Sequence, residues 1–295
     1  MDYEISRLTT IAISVLFALS LNLITGFCGQ ISLGHAAFLG VGAYTSAMLT
    51  QAGWPFLATL PASMLLAAVL GAIVGLASLR VRADFLAVTT MGVGFLFIGV
   101  VRQQDWLGGE MGLAGFPDSG LGSVGFLALA LVLAALTAVL CVFIRRTWMG
   151  RVFGGIAEDE DTMRVLGIDE PSYKLAAFAI GTALAGLAGA LYSQQIKFVG
   201  ADSFGFVESI TVLSMVVVGG IGSVFWVAVA AALLAALPGW FQFIGDYKLL
   251  VYGGLLFLMM RFSPSGLAGM IEAVRRKSGR AAGPAGGKTA QEQRP

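Results

Sequence analysis

The sequence predicts an all-α integral membrane protein, a polytopic bundle of about eight or nine transmembrane helices. Three observations predict it. Of 295 residues, 57% are hydrophobic and only 12% are charged, against about 25% charged in a soluble domain. Too little polar surface remains to cover a soluble fold of this size. Mean hydropathy is +0.86. The apolar residues also gather in runs near the roughly 20 residues that a helix needs to cross a hydrocarbon core. A soluble enzyme and a disordered chain are excluded on these grounds. A net charge of +1 gives no attraction to nucleic acid.

The first run, 8–26, could be mistaken for a signal peptide. Its leading MDYEISR carries two acids and one base, however, and no small-x-small cleavage site follows. It is expected to be a span. The next segment, 33–50, is short and rich in small residues, so it reads as a span or as a re-entrant helix. Further spans are expected at 56–79, 85–101, 124–144, 175–193, 207–222, 224–243 and 247–262. The chain thus divides into a membrane domain, 1–262, with a cytoplasmic loop at 145–174, and a tail, 263–295. The tail lacks apolar periodicity from about 277 and is expected to be disordered. Arg275, Arg276 and Lys277 would lie near anionic lipid headgroups.

Basic residues orient the bundle, because cytoplasmic loops accumulate Lys and Arg. With nine spans and the C-terminus inside, only Arg7, Arg102, Lys197 and Lys248 of the 18 bases fall outside. If 33–50 is re-entrant, the N-terminus lies inside and Arg7 joins the cytoplasmic set. Charge does not separate the two arrangements; nine spans with an outside N-terminus is the preferred one.

Helices in lipid pack through small residues that let backbones approach. Ladders of this kind occur at Ala36, Gly40, Ala43 and Ala47, at Gly181, Ala185 and Gly189, and at Gly71 and Gly75. They are expected to be helix–helix contacts. Asp84, Arg102, Glu208 and Arg261 fall at span ends, and span centres are nearly free of charge. Ion-coupled carriers usually place an ionisable residue in mid-membrane or break a helix to bind the ion, so this pattern disfavours ion coupling. Cys28 and Cys141 are isolated and read as packing residues. No G-x-x-x-x-G-K-[ST] phosphate loop occurs, and no cluster of His, Asp, Glu, Cys or Ser suggests catalysis or a metal.

The loop RRTWMGRVFGGIAEDEDTMRVLGIDEPSYK carries more information. Acids Glu158, Asp159, Glu160 and Asp161 lead into Thr162–Leu166, and Gly167 follows. Acids at a helix start and Gly at its end suit the dipole and a left-handed cap. A short cytoplasmic helix is expected there. Gly154 and Gly155 are poor helix formers, so it is expected to start after them.

Four segments resemble one family, the permease subunits of ATP-binding cassette importers for branched-chain amino acids. The loop matches its coupling element at Gly150, Arg151, Ile156, Glu158, Glu160, Leu166, Gly167 and Ile168. GFCGQISLGHAAFLGVGAYTSAML, residues 26–49, is similar to the LivM-type signature, including Gln30, Ser32, Gly34 and His35. MVVVGGIGSVFW is similar to the family's Gly-rich hinge, with Gly219, Gly220 and Gly222. RFSPSGLAG is similar to its closing motif. Together they follow family order across nearly the whole membrane part. The loop WLGGEMGLAGFPD departs at Glu110 and Met111, and the acidic run is denser than usual.

The resemblance implies a permease subunit in the bacterial inner membrane, without an ATPase site or bound cofactor of its own. Its implied partners are a LivH-type permease, two ABC ATPases carrying ATP and Mg²⁺, a periplasmic binding protein and membrane lipid. Outer loops near 102–122 and 194–206 would receive the binding protein. Gly150, Arg151, Ile156, Glu158, Glu160, Asp161, Leu166 and Gly167 would form the docking loop. Gln30, Ser32, Gly34, His35, Gly219, Gly220 and Gly222 would belong to the path or its hinges. His35 itself is expected to be neutral, bonded to a backbone group near a helix start at or near the membrane face. The same machinery could carry urea, short amides or aromatic acids. A stand-alone carrier or channel is the rival of another class.

Overall fold

The computed structural model describes residues 2–78, 83–240, 247–263 and 266–269. The expectations for the tail beyond residue 269, and for residues 241–243 at the end of the 224–243 span, lie outside them. Every expected span is occupied by a helix. In chain order these are α1 (Asp2–Leu21, continued by a π-helical turn, Asn22–Phe27), α2 (His35–Gln51), α3 (Phe56–Ser78), α4 (Ala83–Gln103) and α5 (Gly122–Arg146). Two short helices follow, α6 (Trp148–Glu158) and α7 (Glu160–Val165). Then come α8 (Glu170–Ile196), α9 (Phe206–Gly219), α10 (Val224–Trp240) and α11 (Lys248–Phe262). Among the described residues, seven helical stretches, some joining neighbouring elements, are long and apolar enough to cross a membrane: Asp2–Phe27, Phe56–Ala77, Phe85–Gln103, Gly122–Arg146, Glu170–Ile196, Ala201–Gly219 and Lys248–Gly269. Two expected spans, α2 and α10, are shorter at 17 residues each.

The helices shuttle between two ends of the bundle. At the basic end, the Gly222 amide donates to Asn22 Oδ1 at 2.9 Å, and α6 lies against the turn at Gly29. At the far end, Gln195 donates to the Ser6 hydroxyl, Gln51 to the Ala114 carbonyl, and Arg102 pairs with Asp202 at 2.6 Å. A two-residue antiparallel ladder, Leu113–Ala114 (β1) with Phe198–Val199 (β2), ties the far-end loops together.

The centre is α2, α3 and α8, held by the predicted small-residue ladders. A Cβ at Gly189 would collide with the Leu39 carbonyl oxygen and stand 2.8 Å from the Ala43 nitrogen. One at Gly71 would strike Thr182, and one at Gly75 would stand 2.9 Å from Leu175. Two glycines outside the predicted ladders are packed as closely: a Cβ on Gly42 would strike the Gly186 backbone, and one on Gly186 would strike Ala67 and the Ser63 carbonyl of α3. By contrast, α3, α4, α5 and α11 turn large apolar side chains outward, among them Leu65, Leu96, Val139 and Leu250. In water such faces would drive aggregation; in a bilayer they are the solvated surface.

Helix α2 does not start at the end of the bundle. His35 stacks on Phe17, ring centroids 5.3 Å apart, and its Nε2 lies 2.9 Å from Ser20 Oγ. Ser20 precedes Phe27 by about two helical turns, so α2 begins about 10 Å inside the end of α1. The non-helical stretch before it, 29–34, runs back into the bundle. Side chains from other helices satisfy its backbone. Leu33 N–H donates to Thr90 Oγ1 and Ala36 N–H to Ser209 Oγ. The stretch 29–34 thus folds back along α1 before α2 runs on toward the far end. The His35 side chain is fully buried within the bundle.

Candidate functional site

The loop after α5 forms a helical hairpin at the basic end. Thr147 breaks α5 with an extended backbone, and α6 begins at once. The expected short helix is α7, which starts after the two glycines; α6 is an additional helix, beyond that expectation, and it runs through Gly154 and Gly155. Its Val152, Phe153 and Ile156 are buried, with Met149 packed behind them. That spacing of i, i+3, i+4 and i+7 is one helical face, and its burial outweighs about 1 kcal/mol of lost propensity at each Gly. Phe153 meets Tyr173 of α8 edge-on at 6.4 Å. Gly155 lies under the Met163 side chain of α7, where a Cβ would stand 2.5 Å from Met163 Sδ and displace that side chain.

Asp159 separates the two helices and caps α7. Its carboxylate accepts from the Asp161 and Thr162 amides at 3.0 and 3.3 Å, and from Thr162 Oγ1 at 2.5 Å. These bonds, the Thr162 hydroxyl foremost, hold its pKa below the usual carboxylate value. Gly167 closes α7 with φ of +80°, the left-handed cap that the sequence predicts.

The predicted docking residues do not behave alike. Glu160 pairs with Lys174 of α8 at 2.5 Å. Arg164 reaches the buried Glu170, which raises the Arg164 pKa. Together these pairs fasten α7 to α8. Ile156 is buried and structural, whereas Glu158 is exposed and Asp161 pairs only with Arg164 across one turn of the same helix. Arg151 lies over the Trp148 ring at 5.7 Å. Gly150 is pressed against Ile144 and Arg145 and lines a groove of about 650 Å³ with Gly26, Gly222 and Trp226. Leu166 is 69% exposed, and so are two apolar side chains outside the predicted set, Val165 at 87% and Trp148 at 60%. Their signal was an apolar residue at a helix end with no partner in the amphipathic pattern.

The predicted path residues are tightly packed. Gln30, Ser32 and His35 are buried. Gln30 is bonded locally, its carbonyl accepting from Thr25 and its amide donating to the Ile24 carbonyl. A Cβ on Gly34 would clash with the Thr90 carbonyl. The expected backbone partner of His35 is corrected to the Ser20 hydroxyl. Gly219 lies against Val227 at the α9–α10 corner, and Gly220 and Gly222 take φ of +103° and +83°. This corner is a tight turn bound to Asn22 through Gly222.

At the far end, Lys197 in the left-handed region pairs with Asp118 at 2.6 Å and donates to the Pro117 carbonyl. The Lys197 ammonium lowers the Asp118 pKa, through its hydrogen bond first and its charge second. The two predicted receiving loops are therefore one connected surface.

Residues 5–260 match the family model described as branched-chain amino acid transport system / permease component. The chain is similar to the high-affinity branched-chain amino acid transport system permease protein LivM of Salmonella typhimurium, 34% identical over 93% of this chain and 72% of that protein. It is also similar to BraD of Pseudomonas aeruginosa, 26% identical over 91% of this chain and 95% of that protein. LivH of Escherichia coli K12 is 24% identical over 87% and 91%. No solved structure matches. A match that runs from the first helix to the last, over a bundle with the predicted ladders, places the chain in the family of branched-chain amino acid transport permease components, as a multi-pass membrane protein.

Proposed function

We propose that this chain is one of two permease subunits of an ATP-driven importer for branched-chain and other apolar amino acids. The observation that carries the reading is the 34% identity, over 93% of the chain, to a protein named as a branched-chain amino acid permease. The partner permease would be LivH-type. The bundle would sit in a bacterial inner membrane with its basic end and C-terminus in the cytoplasm, as the bias of Lys and Arg requires.

Two ATPase subunits, holding ATP and Mg²⁺, would dock on the basic ends of the permease pair. On this chain the contact would be the α6–α7 hairpin. Its exposed Trp148, Val165 and Leu166 supply apolar contact, and Glu158 and Asp161 supply charge. The ion pairs to α8 would pass motion from the hairpin into the bundle. A periplasmic binding protein would load substrate at the joined 102–122 and 194–206 loops.

Reconstitution tests this directly. The chain alone in liposomes should accumulate no leucine under any ion gradient. The full assembly with ATP inside should accumulate it. Gradient-driven uptake by the chain alone would overturn the proposal in favour of a stand-alone carrier.

A further inference from the structure

A cavity of about 280 Å³ opens between α1, α8, α9, α10 and α11, with Leu39 of α2 at its wall. Its size approaches the lower end of the usual range for small-ligand pockets. Glu208 of α9 and Lys248 of α11 both line it, and their charged atoms stand 3.7 Å apart. That is looser than a closed charged hydrogen bond of about 2.7–2.9 Å. Deeper in, Ile13, Phe17, Leu39 and Met215 form an apolar wall, each at most 5% exposed. Both charges stand in the first turn of their helices and stay partly exposed, Glu208 at 31% and Lys248 at 41% of the side chain.

We infer that this cavity is a transit site for a zwitterionic apolar α-amino acid, with Glu208 taking the ammonium, Lys248 the carboxylate and the Ile13–Phe17–Met215 wall the side chain. The inference rests on the import reading above. The chemistry is complementary at each point. An α-amino acid carries one group of each sign on a single carbon, so it can enter a loose ion pair and satisfy both halves without leaving a net charge. A solute with only one of these groups would gain one charged contact and leave the other protein charge without its partner. The pocket lies at the same end as the joined loops, beneath the place where a delivery protein would release its load. The Glu208–Lys248 pair, 40 positions apart in sequence, holds the site together when it is empty.

The test uses the complete assembly in proteoliposomes with photo-leucine, a diazirine analogue of leucine, and peptide mapping of the label. Label is expected on α1 between residues 10 and 17 and on α9 between 211 and 215, and excess leucine should remove it. Isoamylamine and isocaproate, each lacking one charge, should compete at least tenfold less well. Glu208→Gln and Lys248→Met should each cut the label at least fivefold while the assembly still elutes intact. The competition series needs no variant and stands if either substitution disrupts folding. An assembly that imports leucine yet carries no label on α1 or α9, or whose label in both variants matches that of the wild type, would overturn the site alone. An assembly that imports other solutes but no α-amino acid would overturn the import reading and the site with it.

Discussion

Gly189→Ala and Gly154→Ala are the same chemical change in two helices, and they should act in opposite directions. Each replaces a helix-interior Gly with the best helix former, a gain of about 1 kcal/mol. At Gly154 the new methyl meets nothing within 4 Å, so the gain stands. At Gly189 the methyl is driven into the Leu39 carbonyl and to 2.8 Å from the Ala43 nitrogen. Both obstacles are backbone, so no rotamer change can clear them and α2 must move away from α8. Overpacking costs about 1–3 kcal/mol, and rigid neighbours place this case at the upper end. The net loss is then about 2 kcal/mol, or roughly 4–8 °C in midpoint at roughly 2–4 °C per kcal/mol. The assay is thermal unfolding of the detergent-purified protein with a thiol-reactive fluorophore, because Cys28 and Cys141 are both buried. A Gly189→Ala protein as stable as wild type, or a Gly154→Ala protein clearly less stable, would refute this account of the α2–α8 contact.

Other outcomes follow from the same geometry. Val165→Glu combined with Leu166→Glu should leave the unfolding midpoint unchanged, since both side chains are exposed, and should abolish substrate-stimulated ATP hydrolysis in the assembly; unaltered stimulation would remove the hairpin as the docking element. Asp159→Ala should speed hydrogen exchange at the Asp161 and Thr162 amides and leave α5 untouched. In the wild type, the lowered Asp159 pKa means that its capping contribution is complete above the ordinary carboxylate value near pH 4. That contribution is lost as pH falls through the lower folded value, so protection of these amides should fade only there. Asn22→Ala removes the acceptor for the Gly222 amide and should cost about 1–3 kcal/mol, read as a lower midpoint in the same thiol assay.

The fold class was legible because lipid imposes long apolar runs and glycine ladders, both of which are local patterns. The ladder at Gly181, Ala185 and Gly189 and the cap at Gly167 are where the sequence places them. Helix α6 was not legible, because a rule about glycine propensity competed with the apolar face of Met149, Val152, Phe153 and Ile156, and packing against Tyr173 decided the matter. The His35 partner was out of reach for another reason. Ser20 is 15 positions away, and nothing in either local pattern joins them. Pairing of Glu208 with Lys248 is hidden in the same way, since each reads alone as a charge at a span end. Local periodicity reports which face of a helix is buried, and it is silent on which helix does the burying.

The entry to α2 also sets a timetable for synthesis. Its Leu33 amide finds an acceptor only once Thr90 has been made, and its Ala36 amide only with Ser209, 173 positions downstream. At ribosomal speeds of about 5–20 residues per second, that second wait is roughly 10–30 s. Through that interval the Ala36 amide, and for its first third the Leu33 amide as well, must be sheltered by the insertion machinery or by water. The amino-terminal third of the bundle is therefore among the last parts to reach its final form.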